Sequence, residues 1–153
     1  MTNRIIKFRA RRKDNGEWLY FNVGQYCEYQ LDDRQSVWVT GYDEVECDGS
    51  TLCEFTGLTD KNGLEIYEGD IVRFYASELE ISVSKHNMDP MRWVFVISFE
   101  NSCFGYRGAN KDLHHPEDMD FRVMYDNEEK EPKSFDDVEV IGNIYESLDL
   151  IKR

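Results

Sequence analysis

Apolar and polar residues alternate through the first segment, "RIIKFRAR", Arg4 to Arg11. Ile6, Phe8 and Ala10 fall on one face, and Lys7, Arg9 and Arg11 on the other. A period of two marks an extended strand with one face in water. Asn15-Gly16 follows, a pair suited to the positive φ of a tight turn. "WLYFNV" (Trp18 to Val23) then returns, so the pattern predicts an N-terminal β-hairpin. Residues 24 to 36 are polar and ambiguous. "SVWVTGY" is a short β-rich run, and "EVECDGST" (Glu44 to Thr51) reads as an acidic turn region. "LCEFTGL" leads into Asp60-Lys61-Asn62-Gly63, a four-residue turn. "LEIYEGDIVRFYA" carries an extended piece, a tight turn at Gly69-Asp70 and a further strand. In that strand Val72 and Phe74 face the core, with Arg73 and Tyr75 opposite.

Residues 77 to 91 hold no strong period and read as an insertion loop or a short helix. "RWVFVISF" is the most β-like run: Trp93, Phe95, Ile97 and Phe99 share one face, Val94 and Val96 the other. Apolar residues on both faces predict a central strand. "CFGYRG" pairs back after a turn. Residues 108 to 120 read as a loop, "FRVMY" as a short strand and "DNEEKEPKS" as a polar loop. "VEVIGNIYES" is the closing strand, with Gly142 as a bulge or bend, and "LDLIKR" is a final turn of helix. No repeat or distinct linker divides the chain, so residues 1–153 are expected to form one domain. The expected fold is mainly β with little helix, its antiparallel hairpins forming a partly closed barrel or sandwich. The expected core contains Ile6, Phe8, Trp18, Val72, Phe74, Trp93, Phe95, Ile97, Phe121, Val140 and Ile144.

Composition agrees. At 153 residues the chain has the size of a single domain and can bury about 70% of its unfolded surface without a disulfide or metal. Aromatic residues make up 14% of it, a share that suits strands. No run of about 18 apolar residues is present, so no membrane-spanning helix is expected. The charged N-terminus lacks an apolar signal core. Cys27, Cys47, Cys53 and Cys103 show no paired spacing, which predicts reduced thiols in a cytoplasmic protein. The net charge of -13 favours solubility and repels nucleic acid. It is unevenly spread: Arg4, Lys7, Arg9, Arg11, Arg12 and Lys13 all precede the first acid, Asp14.

Three segments, "IIKFRA", "FTGLTDKNGLEIYEGDIV" and "VIGNIYES", occur in an order that resembles the YopX family, small proteins encoded largely by bacteriophages and prophages. The chain departs from the family pattern at Arg11, where Trp is common, and at Ser147-Leu148, where Asn-Pro is common. The resemblance implies a mostly β protein with a barrel-like C-terminal part. It implies no activity, the family's molecular function being unassigned. A Gly-Asp turn into a β-branched strand is also how SH3-like barrels start a strand.

The glycine-rich stretch from Phe55 to Phe74 is the first candidate site. As a phosphate loop it lacks the GxxxxGK[ST] spacing and a following helix N-terminus, and Asp60, Glu65, Glu68 and Asp70 repel phosphate. As a Ca²⁺ loop it lacks the twelve-residue register, Ile71 standing where the bidentate Glu belongs. The simpler reading makes Gly63, Gly69 and Asp70 structural turn residues, with Ile66, Ile71 and Val72 packing beneath. His114-His115 with Asp112, Glu117, Asp118 and Asp120 is the candidate metal cluster. Adjacent histidines converge only on irregular backbone, and an exposed acidic loop is the plainer reading, so neither metal nor other cofactor is expected. No nucleophile elbow and no Cys with a nearby His points to catalysis.

Lys7, Arg9 and Arg11 form the candidate nucleic-acid face, with Trp18 or Tyr20 across the hairpin as stacking partners. Pairing of these cations with the acidic remainder is the alternative. The acidic runs Asp43 to Asp48 and Asp126 to Glu139 raise a third possibility, mimicry of a nucleic-acid backbone. The reading that results is a non-catalytic phage or prophage accessory protein that binds another protein, of host or phage, in the bacterial cytoplasm. An acidic inhibitor of a host DNA or RNA enzyme and a nucleic-acid-binding barrel are its alternatives.

Overall fold

The computed structural model describes residues 5–22, 27–29, 36–39, 44–74, 94–100, 102–108, 122–123 and 138–151. The chain divides into two units, Met1–Gly57 and Leu58–Arg153. The mainly β class is as expected, and both sheets are antiparallel.

In the N-terminal unit, β1 (Lys7–Arg12) and β2 (Trp18–Asn22) form the expected hairpin, in register from Lys7 opposite Asn22 to Arg11 opposite Trp18. Gly16 turns it with φ 74, and the Arg12 N–H donates to the Glu17 carbonyl at 2.9 Å. The unassigned polar stretch contributes β3 (Cys27–Tyr29), which pairs with β4 (Ser36–Val39). β5 (Val45–Thr59) lies between β1 and β4, giving the order β2-β1-β5-β4-β3.

The acidic segment expected as a turn is therefore part of a long strand. Its turn-like chemistry survives as a bulge. Between the pairs Arg11–Asp48 and Arg9–Cys53, β5 advances five residues while β1 advances two. Polar side chains hold the slack. Asp48 Oδ1 accepts from the Ser50 N–H at 3.0 Å. Thr51 Oγ1 donates to the Asp48 carbonyl at 2.7 Å and accepts from the Arg11 N–H at 2.8 Å. Such local bonds replace ladder bonds that a bulge forfeits. Ala10, Phe21, Val39 and Cys47 form the buried cluster of this unit, with Phe8, Leu19, Val45 and Leu52 against it.

In the C-terminal unit, β6 (Glu65–Tyr67) follows the turn at Asp60–Gly63 and pairs back on β5. β7 (Asp70–Phe74), β8 (Val94–Glu100), β9 (Cys103–Gly108) and β10 (Arg122–Val123) run as a meander. β11 (Val138–Asn143) returns to the free side of β7, so the order is β10-β9-β8-β7-β11. β8 is interior, as its two apolar faces predict. The register of β11 on β7 shifts between Val140 and Gly142, where a bulge is expected. A single 3-10 turn, Leu148–Leu150, is the helical structure among the described residues. Neither sheet closes among the described pairings, so the barrel part of the expectation is not met.

The core of this unit is Leu58, Ile66, Val72, Ile97, Phe104 and Val138. Burying side chains of this kind contributes about 1.5–3 kcal/mol each. Phe74, Phe95 and Tyr106, one from each of β7, β8 and β9, pack against it as a ring trio with centroids 5.0, 5.1 and 5.3 Å apart. Two expected core residues need correction. Ile6 is 40% exposed, because it precedes the first strand pairing. Trp18 is half-buried opposite Arg11, on the face of the cations rather than of the core. Val94 and Ile97, on opposite faces of β8, are both buried, as two apolar faces predict. Trp93 and Phe121 lie outside the described residues.

Candidate functional site

The basic face of the N-terminal hairpin is not the open cationic strip that alternation suggests. Arg9 is only 6% exposed. Its guanidinium carbon lies 4.7 Å from the centre of the Trp18 ring, and Lys7 Nζ lies 5.5 Å from that of Phe55. Both are distances at which a cation is attracted to a ring face. The half-buried Arg11 donates from Nε to the Gly16 carbonyl at 3.0 Å. The strand thus turns its cations onto its own rings and turn. A face that alternates with a core face is not thereby wet, because an arginine stem and an aromatic ring are themselves large apolar surfaces.

The chain next to this face builds an open groove. The β1–β5 ladder extends one residue past Arg12, the Lys13 N–H donating to the Glu46 carbonyl at 2.9 Å. Glu46 stands opposite Trp38 on β4. Lys13, Glu46 and Trp38 therefore make one row across three strands. The groove, of about 390 Å³, is lined by this row with Arg12, Asp14, Glu44 and Val45. Arg12 grips Asp14 with two bonds, Nε to Oδ1 at 2.9 Å and Nη2 to Oδ2 at 2.5 Å. That hydrogen bond holds the Asp14 carboxyl below its ordinary range. Lys13 Nζ meets Glu46 Oε1 at 2.8 Å. Trp38 Nε1 is buried without a hydrogen-bond partner. Sequence reading missed this groove. Its charged members were visible as a basic run and an acidic run, but their meeting depends on strand register.

The glycine-rich stretch is organised around buried carboxylates. Asp60 is 5% exposed. Its Oδ1 accepts the N–H groups of Asn62 and Leu64 at 2.8 and 2.9 Å, and its Oδ2 accepts that of Val140 at 3.1 Å. Burial alone pushes this carboxyl up, but the backbone bonds from Leu64, Val140 and Asn62 outweigh it and hold the group below its usual range. The Lys61 N–H donates to the Val138 carbonyl at 2.9 Å, so the turn is tied twice to the closing strand. Gly63 sits at φ 80 and Gly69 at φ 78. Asp70 is 1% exposed, and its Oδ2 accepts the Tyr67 N–H at 2.8 Å. Every oxygen named here is turned inward onto backbone, an arrangement that holds a fold rather than a ligand.

His114, His115 and the run Asp126 to Asp137 lie outside the described residues. Among the described residues no three His, Cys, Asp or Glu side chains converge as metal ligands. Cys47, Cys53 and Cys103 are free thiols. No helix among the described residues is long and apolar enough to cross a membrane.

Fold and site together define a small, mainly β protein with two antiparallel sheets, an internally satisfied turn motif and a surface groove. The family model described as YopX protein matches residues 7–152. The chain belongs to the YopX family. It is similar to the crystal structure of protein EF1440 from Enterococcus faecalis, with 23% identity over 97% of this chain and 99% of that chain, and a TM-score of 0.48. No curated protein matches it.

Proposed function

We propose that this protein is a non-catalytic interaction module, an accessory protein of a phage or prophage that acts on another protein in the host cytoplasm. The observation that carries this reading is the groove beside the N-terminal hairpin. It joins an indole ring and an aliphatic side chain to a rim of ion pairs, the mixed character of a protein-binding surface. The strand cations lean the same way. Lys7 and Arg9 lie on rings and Arg11 on a carbonyl, and a net charge of -13 opposes approach of a polyanion.

The test is capture of partners from a bacterial host lysate on the tagged full-length chain, with and without nuclease. The expected result is one protein retained in stoichiometric amount, insensitive to nuclease, and reconstituting a complex with the purified chain. Retention of nucleic acid alone, released by moderate salt, overturns the reading. A retained DNA or RNA enzyme would redirect it to inhibition by an acidic mimic.

A further inference from the structure

We infer that the groove lined by Trp38, Glu44, Val45 and Glu46 receives a basic side chain, arginine or lysine, from an extended segment of the partner protein. The inference rests on the interaction reading above and names what that partner must present. Three features of the groove select the occupant. The first is charge. Both cations in its wall are already held, Arg12 by Asp14 and Lys13 by Glu46. Glu44 is exposed and has no ion-pair partner among the described residues. The charge left over in the groove is therefore negative, and the field of a chain with net charge -13 reinforces it. An entering anion would meet Asp14, Glu44 and Glu46 and would have to break an ion pair to gain a cation.

The second feature is the ring. Trp38 lines the groove, and an indole face attracts ammonium and guanidinium groups more strongly than other aromatic faces. The third is size. The volume of about 390 Å³ accommodates one long side chain and its flanking backbone.

The test uses the full-length, ¹⁵N-labelled protein. The probes are the peptide acetyl-Gly-Arg-Gly-amide and its citrulline counterpart, which keeps the shape and loses the charge. The indole N–H signal of Trp38 is assigned with Trp38→Phe. The expected result is a saturable shift of that signal with the arginine peptide and none with the citrulline peptide. Glu44→Gln weakens binding about tenfold, the scale of one lost charge-assisted contact. It leaves the urea midpoint unchanged, because Glu44 is exposed. Equal shifts with both peptides, equal affinity in Glu44→Gln, or shifts spread over the acidic surface with Trp38 unmoved would overturn the inference. A captured protein partner retained equally by a Trp38→Ala/Glu44→Gln variant would sink the groove and leave the interaction reading standing. A wild-type chain that binds the arginine peptide at Trp38 but captures no protein would do the reverse.

Discussion

In the N-terminal unit a buried cation, Arg9, lies over an indole ring, that of Trp18. In the C-terminal unit a buried anion, Asp60, is enclosed by backbone N–H groups from its own turn and from β11. Both side chains are about equally inaccessible, at 6% and 5% exposed. Their surroundings differ in kind. A ring face attracts a cation over a broad area and asks little of the backbone. Amide groups bind a carboxylate along fixed directions, so the carboxylate dictates where those amides sit. The first arrangement fills space, and the second specifies a conformation. A charge held by backbone should therefore be far harder to replace than one held by a ring.

The strongest challenge to this contrast is Asp60→Ala. It leaves three backbone N–H groups without their acceptor, and urea unfolding should show a loss of about 3 kcal/mol. A loss under 1 kcal/mol would remove the distinction. Gly69→Ala should cost about 1–2 kcal/mol. Gly69 sits at φ 78, and its new Cβ would lie 3.3 Å from Ile144. This change separates backbone conformation from carboxylate chemistry within the same motif.

Acid titration sharpens the contrast further. The folded-state pKa of Asp60 is lowered, so its contribution is complete above the unfolded aspartate value, about 3.9, and disappears as pH falls through the folded value. Wild type should therefore lose stability below about pH 4 more steeply than Asp60→Asn, read as urea midpoints from pH 6 to pH 2. Arg9 stays charged throughout and adds no such slope. Arg9→Met, which keeps the length and apolar stem, should cost less than Asp60→Ala in the same urea unfolding. Smallest of all, Arg12→Ala breaks an exposed pair with Asp14 and should leave the urea midpoint unchanged.

Much of the fold was legible where local chemistry decides it. The hairpin at Asn15-Gly16, the turn at Asp60–Gly63 and the bulge near Gly142 each rest on residues adjacent in sequence. The interior position of β8 followed from apolar residues on both its faces. What escaped notice depends on partners distant in sequence. Alternation places Arg9 opposite the core face, and it does not show the Trp18 ring that lies against it. The polar run Asp48 to Thr51 has turn-forming residues, yet it lies beside β1 within one long strand, and its slack becomes a bulge. The groove joins Lys13, Glu46 and Trp38 through two strand registers, and no local pattern carries a register across three strands.

The bond from the Val140 N–H to Asp60 spans 80 residues of sequence. A ribosome releases the turn long before it releases the strand that completes it. Until β11 emerges, one oxygen of Asp60 and the outer side of β7 have only water for company. The loop to be closed is long, which slows the step entropically. The C-terminal unit is thus finished last, by its final strand, and a chain cut before Val138 should keep the hairpin of β1 and β2 while leaving β7 as an open edge ready to pair with another chain.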